Sequence, residues 1–325
     1  MNMTRSVRLA ALALLLAVAG TTTALAQEFP SRPIHLVVGF APGGSSDVLA
    51  RLLAKEVEGR LGQPIIVENR PGAGGSVAAG AVAKSAADGY TLLFAAAGHA
   101  GMGALYDKLS FDPTADFAPV MGLNTAPILV VVNAESRFKT MQDLVAAARR
   151  APGTLNCAGG GGGATVTNLA FELLKSELKL QITAVPYKGS APAMTALMAN
   201  EIDCDSDTAA SLMPMIQSGK LRALAVATDK RIALLPAAPT IAETVLPGFS
   251  ASVWNGILAP RGTPAPVIDR MYREFKAAMA TPQMQERLKG LAAEPMDAGP
   301  AAFGEFLASE TRRWGGVIRQ LGLKP

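Results

Sequence analysis

The residues with the clearest chemical potential form a glycine turn near the start of the chain. The apolar segment 34–38 predicts a buried strand, Pro42-Gly43-Gly44 cannot extend it, and Ser45, Ser46 or Asp47 can cap the amphipathic helix that follows. Free N–H groups at a helix start attract an anion, and glycines let a ligand approach the backbone. The turn is therefore a candidate anion-binding site, and a purely geometric role in turning the chain is the alternative.

The sequence lacks the residues that common nucleotide-binding, metal and catalytic sites require. The turn fits neither the dinucleotide motif G-x-G-x-x-G nor the phosphate loop G-x-x-x-x-G-K-[ST], because no third Gly opens the helix and no Lys follows the glycines. The chain contains only two histidines, His35 and His99, which argues against a histidine-ligated zinc site and a Ser-His-Asp triad. We therefore predict no catalytic residue, no metal site and no cofactor.

The first 26 residues have the features of a secretory signal peptide. Arg5 and Arg8 precede an apolar run at 9–19, and small residues lead to a cleavage site after Ala26. No later apolar run approaches the length of a membrane span, so we expect an exported soluble protein. Without Arg5 and Arg8, 28 of the 30 basic residues remain against 26 acidic ones, a net charge of +2. Nucleic acid is not an expected partner, because no basic cluster is interleaved with aromatic residues.

The strand and helix pattern places the glycine turn in a parallel sheet. A strand at 65–68, a second glycine turn at 69–75, an Ala-rich helix to about residue 87 and a strand at 90–94 follow the first helix. This βαβαβ order predicts a sheet wrapped by helices. Ligands gather outside the carboxyl ends of such strands. We therefore expect the loops at 41–46, 69–76 and 96–99 to face one cleft.

The same pattern then begins again and predicts a second α/β lobe. Segment 111–122 is turn-rich and predicted to lie on the surface. Strands are expected at 155–157, 182–185 and 202–206, with helices at 141–150, 166–178 and 191–199. Strands at 128–132 and 254–260 are predicted to cross between the lobes. We assign lobe 1 to residues 27–127 and 251–325 and lobe 2 to 128–250, a clamshell that closes by rotation about two hinge crossings.

The two cysteines, Cys157 and Cys204, are predicted to lie on neighbouring strands of lobe 2. An exported protein can form a disulfide, but the count of cysteines does not establish one. Two small buried thiols are the expectation, and a bridge is the alternative.

The whole mature chain resembles the periplasmic substrate-binding proteins of tripartite tricarboxylate transporters, the Bug family. The matching motifs are Pro42-Gly43-Gly44 with Asp47, VENRPGAGG at 67–75, DGYTLL at 88–93, VPYKG at 185–189, GKLRALA at 219–225, and PGF at 247–249 before Trp254. The resemblance implies a Venus-flytrap fold of type II, a periplasmic location and a monomer. It also implies one small carboxylate ligand, delivered to membrane permease subunits.

The resemblance also implies a set of ligand-binding residues. Such sites typically hold the carboxylate through backbone N–H groups, hydroxyls and water rather than through Arg. The implied first-lobe contacts are Phe40, Gly43, Gly44, Ser45, Ser46, Asp47, Gly98 and His99. The implied second-lobe contacts are Gly161, Gly162, Gly163, Ala164, Thr165, Asn168, Tyr187, Lys188, Asp207 and Thr208. As alternatives, Asp47 only caps its helix, His99 is an exposed loop residue, and Tyr187 and Lys188 only build a turn.

Two departures from the family pattern concern the ligand. Residues 159–163 are all Gly where members often carry Ser and Asn, so side-chain donors are lost. Asp203, Asp205 and Asp207 alternate along one strand and share a face. Three carboxylates at the cleft would repel a citrate-like trianion, so our hypothesis is a small mono- or dicarboxylate or an amino acid. In the alternative, Asp203 and Asp205 face water away from the cleft.

The predicted function is a solute receptor, and we do not expect an enzyme. One alternative is a secreted enzyme that acts on a small carboxylate, which would need a nucleophile with a base or a metal cluster. The other is a binding protein that signals to a membrane sensor.

Overall fold

The computed structural model describes residues 29–159, 165–187 and 189–323. The chain divides into two compact units, residues 1–31 and 32–325. Of the first unit only residues 29–31 are described, so the predicted signal peptide and its cleavage site lie outside the described residues.

The first group of elements contains the predicted glycine turn and its sheet. Ile34–Val38 forms β1, and its residues are buried except for His35, which is half-buried, as expected of an inner strand. The elements that follow are α1 (Ser45–Leu61), β2 (Ile65–Asn69), a 3₁₀ turn (Ala73–Gly75), α2 (Ser76–Ala83), β3 (Thr91–Ala96), a second 3₁₀ turn (Ala97–Gly101), α3 (Met102–Leu105) and β4 (Phe117–Asn133).

The second group repeats the alternation of helices and strands. Its elements are α4 (Met141–Arg150), β5 (Asn156–Ala158), α5 (Val166–Glu177), β6 (Thr183–Ala184), α6 (Ser190–Met198), β7 (Cys204–Thr208), α7 (Ala209–Gln217), β8 (Leu221–Val226) and α8 (Ile241–Thr244). Helix α4 begins where it was predicted, because Thr140 and Asp143 form a capping box: each side chain accepts a backbone N–H of the other residue.

The chain then returns to the first group. It forms β9 (Ser252–Pro260), α9 (Ala265–Met279), α10 (Pro282–Gly290), β10 (Glu294–Ala298) and α11 (Pro300–Leu321). The predicted strand at 254–260 is confirmed here, whereas β10 was not predicted. Its five residues include Pro295 and Asp297, which disfavour strands.

The two strand groups have the same order and the same directions. The first runs β2-β1-β3-β9-β4 and the second β6-β5-β7-β4-β8. In each group three parallel strands are followed by an antiparallel strand and then by a strand antiparallel to that one. The predicted likeness of layout between the two halves is thus confirmed, and the class is α/β.

Two crossings join the groups. Residues 117–127 of β4 pair with β9, whereas Ile128–Asn133 pairs with β7 and β8. The second crossing lies beside the first: the Ala251 N–H donates to the Ala227 carbonyl, and Ser252 is opposite Pro127. The prediction that segment 111–122 lies on the surface is wrong from residue 117 onward, because this half of β4 is an inner strand with Val120 and Met121 buried.

Candidate ligand-binding site

The loops that follow β1, β2 and β3 meet at the carboxyl edge of the first strand group. A Cβ atom on Gly39 would lie 2.7 Å from the Gly75 Cα, so the first two loops touch backbone to backbone and Gly39 has no room for a side chain. A narrow cavity lies here, lined by Gly39, Phe40, Gly74, Gly75, residues 93–96, His99 and Met102. Its volume is about 10 Å³, room for a single water molecule.

Asp47 braces the first glycine turn from below. It is the third residue of α1, and its Oδ2 accepts the Gly43 N–H at 2.8 Å. Its Oδ1 accepts the Asn69 amide at 2.8 Å, and Arg51 Nε lies 3.0 Å from both oxygens. The Arg51 hydrogen bond and those from Gly43 and Asn69 lower the pKa of the Asp47 carboxyl from 3.8 to about 2. Since the side chain is buried and its oxygens are occupied, Asp47 stabilises the turn that precedes the helix. The prediction that Ser45, Ser46 or Asp47 caps this helix is wrong, because the helix already begins at Ser45 and its N-cap is Gly44.

The start of α1 remains open above this brace. Gly44 is the N-cap and contributes no side-chain hydrogen bond. Within the described ranges, the N–H groups of Ser45 and Ser46 have no acceptor, as is general for the first turn of a helix. Ser45 is exposed and Ser46 half-buried. Two N–H groups, two hydroxyls and the positive end of a 17-residue helix therefore face outward together.

His99 lies beneath the third loop. It is buried at 2 % exposure, its Nε2 donates to the Pro113 carbonyl at 2.7 Å, and its ring lies edge-on to Phe117. Burial lowers the pKa of His99 to about 4, so the imidazole is neutral at pH 7. The alternative of an exposed loop residue is wrong, because the hydrogen bond to Pro113 draws the ring inward. The neighbouring Gly98 is half-exposed, and Phe40 keeps 37 % of its surface exposed at the first loop.

The start of α5 carries the described part of the second glycine region. The Thr165 hydroxyl accepts the Asn168 N–H at 3.3 Å and shares a hydrogen bond with Thr167. Thr167 in turn donates to the Gly159 carbonyl at 3.1 Å. A Cβ on Gly159 would lie 2.4 Å from the Asn168 Oδ1, so the run of glycines begins against this helix. Gly161, Gly162, Gly163, Ala164 and Lys188 lie outside the described residues.

A second polar cluster occupies the carboxyl end of β7. Asp207 is buried, and its Oδ1 accepts the Thr208 N–H at 2.6 Å. Thr208 caps α7 by accepting the Ser211 N–H, and the hydroxyls of Thr208, Ser211 and Ser190 form a chain with spacings of 3.0 and 3.3 Å. Burial raises the pKa of Asp207, against the lowering effect of the Ser190 and Thr208 hydrogen bonds.

Sequence reasoning missed Ser190 and Ser211. Their positions in the sequence could have indicated them. Ser190 is the first residue of α6, directly after Gly189. Ser211 follows Thr208 by three residues, the spacing at which the side chain of an N-cap accepts a backbone N–H. The predicted residue Tyr187 is half-buried and packs on the apolar core beside α6.

The three acidic residues of this strand have different surroundings. Asp203 is half-buried and accepts the Asn156 N–H at 2.9 Å. Asp205 is fully buried, so the alternative that Asp203 and Asp205 both face water is wrong for Asp205. Asp205 and Asp207 share a face of β7.

A disulfide joins Cys157 and Cys204. The two residues are register partners on the adjacent parallel strands β5 and β7, with Cα atoms 4.6 Å apart. The prediction that their strands are neighbours is confirmed, whereas the expectation of two free thiols is wrong, because register pairing brings the Cα atoms within bridging distance. The bridge ties the strand before the glycine run to the strand that carries Asp207.

Two features are absent from the described part of the chain. No group of three or more His, Cys, Asp or Glu side chains there could hold a metal ion. Each helix described is too short or too polar to span a lipid bilayer.

Comparison with known proteins gives consistent matches over nearly the whole chain. A family model described as "Tripartite tricarboxylate transporter family receptor" matches residues 49–323. Protein BugT of Bordetella pertussis is 36% identical over 332 aligned residues, which cover 100% of this chain and 99% of BugT.

Two solved structures are similar to this chain in both sequence and fold. Rpa4515 of R. palustris with adipate has 33% identity and a TM-score of 0.81, and the match covers 92% of this chain and 100% of that one. MatC of Rhodopseudomonas palustris with bound malate has 34% identity and a TM-score of 0.77, with 89% and 100% covered.

Proposed function

Because the chain belongs to the tripartite tricarboxylate transporter family of receptors, we propose that it binds a small carboxylate between its two strand groups. It delivers this solute to the membrane permease subunits of such a transporter. The observation that carries the proposal is the open start of α1, where the brace around Asp47 leaves two N–H groups and two hydroxyls facing outward. A carboxylate fits this position because it is a compact anion with several acceptor sites.

One end of the ligand contacts lobe 1, which comprises residues 27–127 and 251–325. The other end contacts lobe 2, residues 128–250. In the first lobe, Gly43, Gly44, Ser45 and Ser46 bind the anion, Phe40 and Gly98 form the walls, and Asp47 and His99 position the loops. In the second lobe the ligand meets Gly161, Gly162, Gly163, Ala164, Thr165, Asn168, Tyr187, Lys188, Asp207 and Thr208. Closure about the two crossings buries the solute.

The buried acids favour a solute with few negative charges. Asp207 lies at the carboxyl end of its strand, and Asp205 is buried two residues before it. A trianion would meet like charge there. Adipate and malate, held by the two similar structures, are dicarboxylates. We therefore propose a small mono- or dicarboxylate or an amino acid as the solute.

The receptor acts as an exported monomer in the periplasm, the compartment of receptors of this family. Residues 1–26 form its signal peptide, cleaved after Ala26. The family is one of receptors, which supports the proposal that the bound carboxylate leaves unchanged.

Native mass spectrometry of the freshly purified protein tests this function. We expect one copy of a small carboxylate per chain, released unchanged on denaturation. If the protein is empty, a thermal-shift screen with adipate, malate, aspartate and citrate follows. A ligand at 100 times its dissociation constant adds about 2.7 kcal/mol to the free energy of unfolding. Failure of every carboxylate to bind, or chemical turnover of one, contradicts the proposal.

A further inference from the structure

The two tryptophans of the chain share one buried carboxylate. The Trp314 indole N–H donates to the Glu310 Oε2 at 2.9 Å, and the Trp254 indole N–H donates to the same oxygen at 3.2 Å. Both rings are fully buried, and Glu310 is 8 % exposed. Glu310 and Trp314 are one helical turn apart on α11, whereas Trp254 belongs to β9.

This cluster holds α11 against the second crossing on both of its sides. Trp254 lies two residues after Ser252, which is opposite Pro127 at the crossing. Before the crossing, the Ser250 carbonyl accepts a hydrogen bond from the Arg313 guanidinium. That guanidinium also stacks on the Trp314 ring at 4.8 Å and lies 3.8 Å from the Glu310 carboxylate. We name these four residues, Trp254, Glu310, Arg313 and Trp314, the tryptophan latch.

The same helix lies behind both halves of the candidate site. A Cβ on Gly101 would be 3.0 Å from the Ile318 Cδ1 and 3.9 Å from the Leu169 Cδ1. Gly101 ends the 3₁₀ turn that contains Gly98 and His99, and Leu169 lies in the first turn of α5. Helix α11 also packs directly against α5. It thus contacts the second crossing, a loop of the first strand group and a helix of the second.

Packing alone does not account for a carboxylate at this position. A buried charge is costly to desolvate, and an apolar side chain of similar volume would fill the space between two indoles at lower cost. A carboxylate does provide a directional bond to each ring, which fixes the position of β9 relative to α11. Its alternative is two buried indole N–H groups without an acceptor, which is strongly unfavourable. The latch therefore has a preferred geometry.

We propose that the tryptophan latch holds the second crossing in a defined geometry and so sets the equilibrium between open and closed arrangements of the two strand groups. This inference rests on the proposed receptor function. A latch of this kind pre-orients the two halves of the site, and its loss increases the freedom that a ligand must remove on binding.

The test measures the separation of the two strand groups by pulsed electron paramagnetic resonance. Spin labels on Glu58→Cys in α1 and Arg149→Cys in α4 report it, since both positions are exposed and the native cysteines are bridged. We expect Glu310→Leu to broaden the distance distribution of the unliganded protein. Glu310→Gln, which keeps an acceptor for both indoles, retains the wild-type distribution. The dissociation constant of the Leu variant for the carboxylate rises about fivefold or more.

Two controls keep the result decisive. Met271→Ala opens a cavity at a buried position of α9 that is not part of the latch, and should destabilise the fold without broadening the distribution. If Glu310→Leu does not fold, Trp254→Phe removes one indole donor, and the same broadening is expected. The smaller ring also leaves a cavity, for which Met271→Ala is the control. Distributions that match the wild type in the Leu and Phe variants, or equal broadening in Met271→Ala, overturn the latch. The distance measurement needs no ligand, so failure of all carboxylates to bind refutes the receptor function separately.

Discussion

At the scale of single residues, two buried aspartates show how surroundings decide the role of one residue type. Asp47 accepts hydrogen bonds from Arg51, Asn69 and Gly43, and the pKa of its carboxyl falls to about 2. Asp207 has hydroxyl and N–H partners but no cation among its described partners, and burial raises its pKa. Asp47 therefore stabilises the turn as an anion, whereas burial disfavours the charged form of Asp207.

Ser45 offers a test that separates its backbone from its side chain. It is the first residue of α1, where proline is tolerated, and Gly44 before it is extended, as a residue before proline should be. Ser45→Pro removes one N–H without breaking the helix, and we expect the dissociation constant for the carboxylate to rise about tenfold. Ser45→Ala keeps the N–H and should change it by less than about threefold. Isothermal titration measures both, and equal effects would contradict binding through the backbone.

Asp47 predicts a pH dependence of stability. Its pKa is lowered in the folded protein, so its contribution is complete above the unfolded value of 3.8 and is lost as the pH falls through about 2. We expect Asp47→Asn to lower the free energy of unfolding by about 1–2 kcal/mol at pH 7. The deficit should shrink between pH 4 and pH 2. Urea unfolding of both proteins across this range measures it, and a deficit that stays constant with pH would count against the ion pair with Arg51.

Sequence reasoning offered Asp47 as a ligand contact or a helix cap, because helix-start spacing fits both, whereas the carboxylate bonds the turn before the N-cap. It could not predict the Arg51 and Asn69 partners, which come from the next turn of the helix and from another strand. The sequence also did not predict that the His99 side chain is buried. Its acceptor, the Pro113 carbonyl, lies 14 residues away in a segment without regular pattern.

At the scale of elements, strands and helices with strong local signals were predictable and those defined by partners were not. Helix α4 has a capping box, and its predicted bounds are the observed ones. Strand β4 was predicted only in its second half, because the first half, with Pro119 and Gly122, lacks an alternating pattern. Pairing with β9 and β10 makes that half a strand. Most of the glycine run after β5 lies outside the described residues, which begin again at Thr165.

The disulfide links two elements of the second strand group and predicts a measurable stabilisation. It closes a loop with a sequence separation of 47 residues between β5 and β7. The double variant Cys157→Ala and Cys204→Ala should lower the free energy of unfolding by about 3–4 kcal/mol, since a loop of that length loses its entropic constraint. Denaturant unfolding measures the change. The wild-type protein, denatured without a reductant, should show no free thiol, and a count of two would reject the bridge.

At the scale of the whole molecule, the two groups share one layout although no repeat is visible in the sequence. Each takes its antiparallel fourth strand from a segment that crosses between the groups: β9 in the first and β4 in the second. The tandem βαβαβ pattern predicted the two parallel units. The pairing of β9 and β4 with strands distant in sequence was not predictable, because the local pattern of apolar and polar residues does not specify which strands pair. The carboxyl edges of both groups carry helix starts, and the second edge adds the carboxylate of Asp207.

That asymmetry predicts selection of the solute by charge. Asp207→Asn removes a negative charge from the second edge, so the preference for malate over citrate should fall by about tenfold, with most of the change in citrate affinity. The same preference should fall more steeply with decreasing pH in the wild-type protein than in Asp207→Asn, because burial raises the pKa of Asp207 and it takes up a proton at a higher pH than an ordinary Asp. Asp203→Asn is the matched control, since Asp203 is half-buried and bonded to the Asn156 N–H before the strand begins. Titration of malate and citrate against the three proteins decides the matter: an unchanged ratio in Asp207→Asn, or an equal change in Asp203→Asn, would show that the buried acid does not sense the solute.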